Sequence, residues 1–245
     1  MQIELIGCTG TGKSTLAQRI LRDFRAHGIP VLPSEEFLLR HIGAAWVSRR
    51  VVRTLLVDMV ALAGWLMTWR KNLRFSLFAL RAVGRLPVGR LEKLNLVRHV
   101  LRKVGVYELI RRNDSGRQVV VVDEGTLHVV HNIFVHAAAG ACVADIPTFA
   151  RLAPMPDVAV YVRHDDRVLV ARTLQRGHRR IPGRSPAHTA RFVARAVEAF
   201  ETLIQQAAVK QRLLIVDQRR ETLVAEANLF PQHITARNEH EVRTA

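Results

Sequence analysis

Gly7-Cys8-Thr9-Gly10-Thr11-Gly12-Lys13-Ser14 is the stretch that decides how this chain folds. Before it, Gln2–Ile6 reads as a short strand; after it, Leu16, Ile20, Phe24 and His27 recur at helical spacing over residues 13–27 until Gly28 stops the helix. A glycine loop between a strand and a helix is the setting in which G-x-x-x-x-G-K-[ST] binds phosphate. The glycines let successive N–H groups turn inward around the terminal phosphates, and the helix N-terminus adds partial positive charge. Gly7, Thr9, Gly10, Thr11, Gly12, Lys13, Ser14 and Thr15 are therefore the expected contacts of the bound phosphates. Lys13 is the point charge on the transferring phosphate, and Ser14 Oγ is a Mg2+ ligand. Cys8 reads as a loop filler rather than a reactive thiol.

Strand and helix patterns alternate along the rest of the chain. Residues 28–33 form a second extended segment, and from Glu36 to about Arg112 the pattern is helical, with breaks near Gly84 to Gly89 and at Gly105. Gln118–Val122 is a continuous β-branched run, as in a strand buried on both faces. A helix over about 126–139, a proline-bearing loop, a strand at 158–162, a helix capped by Asp165 or Asp166, a helix at 187–208, a strand at 213–216 and a short terminal helix complete the pattern. This predicts an α/β fold of three layers, αβα, with a parallel sheet and a large helical insertion between the second and third strands. The phosphate-binding core spans 1–36 and 113–245 with a lid at about 165–186, and the insertion spans 37–112.

The acidic partners follow from the same chemistry. Val119-Val120-Val121-Val122-Asp123-Glu124 ends an apolar strand in carboxylates, and Asp123 beside Ser14 is the expected holder of the magnesium shell. Glu124 orients water in a hydrolase, orients the acceptor or supports the metal shell in a kinase, or simply complements a helix N-terminus. Glu35 and Glu36, after the second strand, are candidate bases for an acceptor hydroxyl; the alternative is a helix start with Ser34 as its cap. Arg172 and Arg176, one helical turn apart, form a candidate clamp for developing charge, followed by Arg179, Arg180 and Arg184 in the lid loop.

Composition narrows the class. The chain has 245 residues, 49% hydrophobic and 24% charged, with two cysteines, which excludes a disordered tail and a disulfide scaffold. Its net charge of +16 is uneven: residues 40–117 hold 17 basic and 4 acidic residues. A field of that kind attracts phosphates, nucleic acid or an anionic membrane.

The pattern resembles the P-loop nucleoside and nucleotide kinases, most closely the thymidylate kinase-like group. The resemblance rests on Gly7–Ser14, on Asp123-Glu124-Gly125, on Pro156–Val162 running into Arg172 and Arg176, and on Ile215-Val216-Asp217. It covers roughly residues 1–36 and 118–230. It implies a five-stranded parallel sheet between helices, use of ATP and Mg2+, and transfer of the γ-phosphate to a small-molecule acceptor. Asp123-Glu124-Gly125 and Ser34-Glu35-Glu36-Phe37 depart from the family's usual Asp-Arg and Glu-Pro patterns, so thymidylate as the acceptor does not follow.

The insertion occupies the place where related kinases build the acceptor pocket. Trp46, Trp65, Trp69, Phe75 and Phe78 are candidate lining residues, with Arg49, Arg50, Arg53, Arg70 and Arg74 facing an anionic acceptor. The alternatives are helix-packing core for the aromatics, or an Arg-rich amphipathic surface lying on anionic lipid. The competing functional class is a non-kinase ATP-binding switch or ATPase whose insertion engages an anionic membrane or polymer. No nucleic-acid recognition motif is present, and a homodimer is compatible with the sequence. His128, His131 and His136 read as the polar face of a buried helix or an acceptor contact rather than a zinc site. No secretory signal opens the chain, so the expected location is cytoplasmic, with a peripheral seat at the inner membrane face as the variant. Met59–Trp69 reads as too short to span a membrane, and Gly125–Ala144 as a buried helix.

Overall fold

The structure, a computed structural model, describes residues 1–114, 116, 118–136, 143–178, 180–181 and 185–218. Arg179 and Arg184, Cys142, the far end of the helix expected over 126–139 and the expected terminal helix lie outside the described residues. Strands β1 (Gln2–Ile6), β2 (Val31–Pro33), β3 (Val119–Asp123), β4 (Val158–Arg163) and β5 (Leu213–Asp217) form one parallel sheet in the order β2-β3-β1-β4-β5. The helices are α1 (Lys13–Ala26), α2 (Ser34–His41), α3 (Arg50–Gly84), α4 (Arg90–Asn113), α5 (Val129–Phe134), α6 (Ile146–Leu152), α7 (Asp166–Arg176), α8 (Pro186–Ile204) and α9 (Ala207–Lys210).

Side-chain alternation explains the unbroken valine run of β3. Val119 and Val121 join Ile3, Leu5 and the α1 residues Leu16, Ile20 and Phe24 on one face. Val120 and Val122 pack on the other face against Phe37 and Leu38 of α2 and Val57 and Ala61 of α3. With both faces covered, every position of the strand is apolar. Elsewhere on that second face, Tyr161 packs with Phe192 and Phe200 of α8 and Phe149 of α6, and Phe75 of α3 joins the same cluster. The expected three-layer fold with its insertion is therefore the one formed. The connections leaving β1 and β3 run in opposite directions across the sheet, which opens a crevice at their carboxyl ends.

Five local expectations change. Gly105 does not break the helix; it lies inside α4, where a Cβ would stand 1.8 Å from the Ala61 carbonyl oxygen. Gly64 contributes to the same close approach, since its Cβ would meet Leu109 at 2.6 Å. The glycines are there to let two helices touch. The proline-bearing loop contains α6, with Pro147 in the first turn, where a missing N–H costs nothing. Pro33, not Ser34, is the N-cap of α2, and no side chain caps it. Fourth, α5 is shorter than the expected helix, ending at Phe134. Finally, Met59–Trp69 is part of a 35-residue helix, α3, which by length and composition alone is apolar enough to cross a membrane, and 17% of its apolar window is buried.

Polar contacts bind α3 to α4. Asp58 accepts from Arg98 and pairs with Arg102 at 3.0 Å, and buried Glu108 accepts from Lys71 and from Asn72, each at 3.1 Å. Trp65 Nε1 donates to Ser76 Oγ at 3.1 Å. A straight helix would separate residues eleven apart by about 16 Å along its axis, more than the two side chains can span, so α3 bends between Trp65 and Ser76. Gly105→Ala is expected to force α3 and α4 apart and cost about 3 kcal/mol in urea unfolding. An unchanged midpoint would show that the helices are not in contact there.

Candidate phosphoryl-transfer site

The loop between β1 and α1 carries positive φ at Gly7 (141°), Gly10 (87°) and Gly12 (88°). At Gly7 a side chain is excluded outright, because a Cβ would lie 2.7 Å from the Val162 carbonyl oxygen of β4. Lys13 Nζ donates to the carbonyls of Gly7 and Cys8, each at 2.9 Å, which arches the loop over its own lysine. Thr11 Oγ1 donates to Cys8 O at 2.9 Å. Burial pushes the Cys8 thiol up to about 12, so it is an inert filler. Thr9 lines the larger cavity described below, and Thr15, on the first turn of α1, is exposed.

Ser14 Oγ donates to Asp123 Oδ2 at 2.8 Å across the β1–β3 pair. A hydroxyl and a carboxylate at the mouth of an N–H-lined loop are the donor set a magnesium ion on a triphosphate takes. The loop, Lys13, Ser14 and Asp123 thus fit ATP and Mg2+ in type and placement.

Glu124 is the one non-glycine residue with positive φ among the described residues, at 71°. Its Oε1 lies 3.8 Å from Lys13 Nζ and 3.3 Å from His128 Nε2. Burial alone would raise its pKa, but the charges of Lys103 and Lys13 outweigh it and hold the carboxyl below its ordinary value. Lys103, from α4, has its own pKa lowered, first by burial and against the attraction of Glu124 and Glu4. Beneath the loop, fully buried Glu4 accepts from His128 N–H at 2.9 Å and from Thr126 Oγ1 at 3.2 Å. Burial raises its pKa from 4.5 to about 7.

Two cavities share His99, Lys103 and Glu124 in their walls. One, about 370 Å³, is bounded by Ser34, Glu35, Arg102 and Asp123. The other, about 710 Å³, reaches from Thr9 to His131 and Arg180. Burial holds the pKa values of His128 and His131 well below the ordinary value, and their rings stack at 5.2 Å.

The candidates therefore divide. Glu35 lines the smaller cavity and is paired with Arg53 at 3.2 Å, whereas Glu36 pairs with Arg40 on its own helix. Arg172 donates to Gly10 O at 2.9 Å and so presses α7 onto the loop, while Arg176 is exposed one turn further on. Arg180 donates to the carbonyls of His131 and Val135, anchoring the end of α5. In the insertion, Phe75 and Phe78 pack on Phe149, and Trp46 and Trp69 are exposed; Trp65 packs against the core. Helix α4 instead supplies the cavity wall through His99, Arg102 and Lys103. The spacing of His99 and Lys103, four apart on a helix ending at the acidic strand, was the available signal; their placement against Glu124 was not readable from it.

The sheet order, the loop and the Ser14–Asp123 pair make this a P-loop α/β fold. No protein-family model matches the chain, and no curated protein matches it. Among solved structures it is similar to TT1252 from Thermus thermophilus, at 15% identity over 97% of each chain and a TM-score of 0.42. It is also similar to a "putative kinase" from Chloroflexus aurantiacus, at 17% identity over 95% of this chain and 97% of that one, with a TM-score of 0.39. Likeness at that level leaves the fold to rest on the chain's own topology.

Two titrations probe the site. Because the folded state holds a proton on Glu4 more tightly than the unfolded chain does, its contribution to stability is complete below 4.5 and lost as pH rises through about 7. Glu4→Gln keeps an acceptor for His128 N–H and is expected to flatten that part of the Tm-against-pH curve. Lys103→Met removes a charge that depresses Glu124, so the Glu124 carboxyl, followed by 13C NMR, is expected to titrate at higher pH; an unmoved titration would separate the two groups.

Proposed function

We propose that the chain is an ATP- and Mg2+-dependent kinase that transfers the γ-phosphate to a small anionic acceptor. The observation that carries this reading is the pair of cavities walled by Glu124, Lys103 and His99 beside the phosphate loop. A nucleotide switch needs no such space next to its terminal phosphate. An acceptor does, and Lys103 and Arg102 favour one that carries negative charge.

In this reading, the loop N–H groups and Lys13 orient the triphosphate. Ser14 and Asp123 hold Mg2+, which supplies neutralising charge on the phosphate oxygens. Glu124, kept ionised by Lys103 and Lys13, accepts the hydrogen bond of the acceptor hydroxyl and takes its proton as the acceptor oxygen bonds to the γ-phosphorus and the bond from that phosphorus to the β,γ-bridging oxygen breaks, releasing ADP. His128 supports the Glu124 carboxylate, and Arg172 keeps the loop pressed to α7. Catalysis is then mainly positioning and electrostatics.

The test is ADP release with purified protein, ATP, Mg2+ and pooled nucleosides, nucleotides and sugar phosphates. Acceptor-dependent release is expected, and Lys13→Ala is expected to reduce it about a hundredfold or more while circular dichroism stays unchanged. Slow hydrolysis indifferent to every pool would favour the ATPase switch instead.

A further inference from the structure

Helix α3 has two apolar faces. One is buried against α2, α4 and the core, through residues such as Val57, Ala61 and Phe75. The other carries Val52, Leu55, Met59, Leu62, Leu66 and Trp69, which repeat at alternating steps of three and four and are between 40% and 68% exposed. A continuous apolar stripe of that length on a folded surface marks a place where something docks.

Charge identifies the occupant. α3 holds six Lys/Arg residues against Asp58, and Asp58 is already bound by Arg98 and Arg102. Arg49 and Arg50 stand at one end of the stripe, beside Arg53, which pairs with Glu35; Arg70 and Arg74 stand at the other, beside Lys71, which pairs with Glu108. A second copy would bring the same cations against themselves. A bilayer rich in anionic headgroups meets the cations with opposite charge and the stripe with hydrocarbon. We infer that the exposed face of α3 seats this protein on an anionic lipid bilayer, with the helix lying in the plane of the interface.

In-plane seating follows from how α3 is held. It bends between Trp65 and Ser76, and the Asp58 and Glu108 contacts tie it to α4. If α3 crossed the membrane it would carry Asn72 into hydrocarbon, leave buried Glu108 of α4 without its Lys71 and Asn72 donors, and pull Phe75 from the core. Trp69, 43% exposed with Arg70 over its ring at 5.6 Å, sits as an interfacial aromatic does. The inference does not depend on the kinase reading, although α4, the partner helix of α3, also walls the cavities.

Flotation of the full chain with phosphatidylcholine vesicles, with and without phosphatidylglycerol, tests the inference. Binding is expected to the anionic vesicles, about tenfold or more above the neutral ones, with release by high salt. Leu62→Ser/Leu66→Ser and, separately, Arg70→Glu/Arg74→Glu are each expected to lower that binding about tenfold while leaving the melting temperature close to wild type. Should the serine variant fail to fold, the charge variant and quenching of wild-type tryptophan by brominated lipid still decide the matter. Equal binding to both vesicle types, no binding, or no quenching overturns the proposal. So does a dimer in sedimentation that the serine variant dissociates without any vesicle binding, because the stripe is then a contact between copies.

Discussion

A polypeptide loop can aim several N–H groups at one point only if its backbone enters conformations closed to most side chains. Gly7, Gly10 and Gly12 meet that requirement, and Gly7 must also pass within reach of the Val162 carbonyl on β4. The loop is thus a steric consequence of the sheet as much as of its own sequence. Lys13 closes it from within, and Ser14 ties it to Asp123 on β3. Two strands and a helix end converge there, and the rest of the molecule is arranged about that point.

The strand partner shows a second use of strain. Glu124 holds a positive φ, which costs about 1 kcal/mol or more and persists only where the surroundings enforce it. The enforcement comes from Glu4, whose carboxylate receives the Thr126 hydroxyl and the His128 N–H and leaves no space for a side chain at position 125, where a Cβ would stand 2.6 Å from Glu4 Oε2. A buried carboxyl group on the central strand thereby sets the backbone from which Glu124 projects beside the loop.

The insertion serves three ends with one hairpin. Its buried face completes the core, its α4 side walls the cavities, and the outer face of α3 is left apolar and ringed by cations. The excess of positive charge between residues 40 and 117 is divided accordingly, some of it turned to the cavities through Arg102 and Lys103 and much of it to the surroundings.

Local pattern determined the sheet, the loop and the acidic partner, because those features depend on residues close in sequence: the glycines and Lys13 within eight positions, the valine run ending in Asp123, the alternation of strand and helix. The same pattern read Gly105 as a break, since a glycine that ends a helix and one that admits a neighbouring helix look alike along the chain, and it left the aromatics of α3 open between pocket lining and packing core, which the core contacts of Phe75 and Phe78 decide. Glu35 was separated from Glu36, Arg172 assigned to the loop, and Lys103 and Glu4 brought into relation with Glu124 only by tertiary structure. Those assignments are distances and electrostatic sums between residues roughly a hundred positions apart in several cases, and no local pattern encodes them. For the same reason, the apolar content of α3 was visible in one dimension, but which of its two faces stayed uncovered was settled by what α2, α4 and α6 had room to bury.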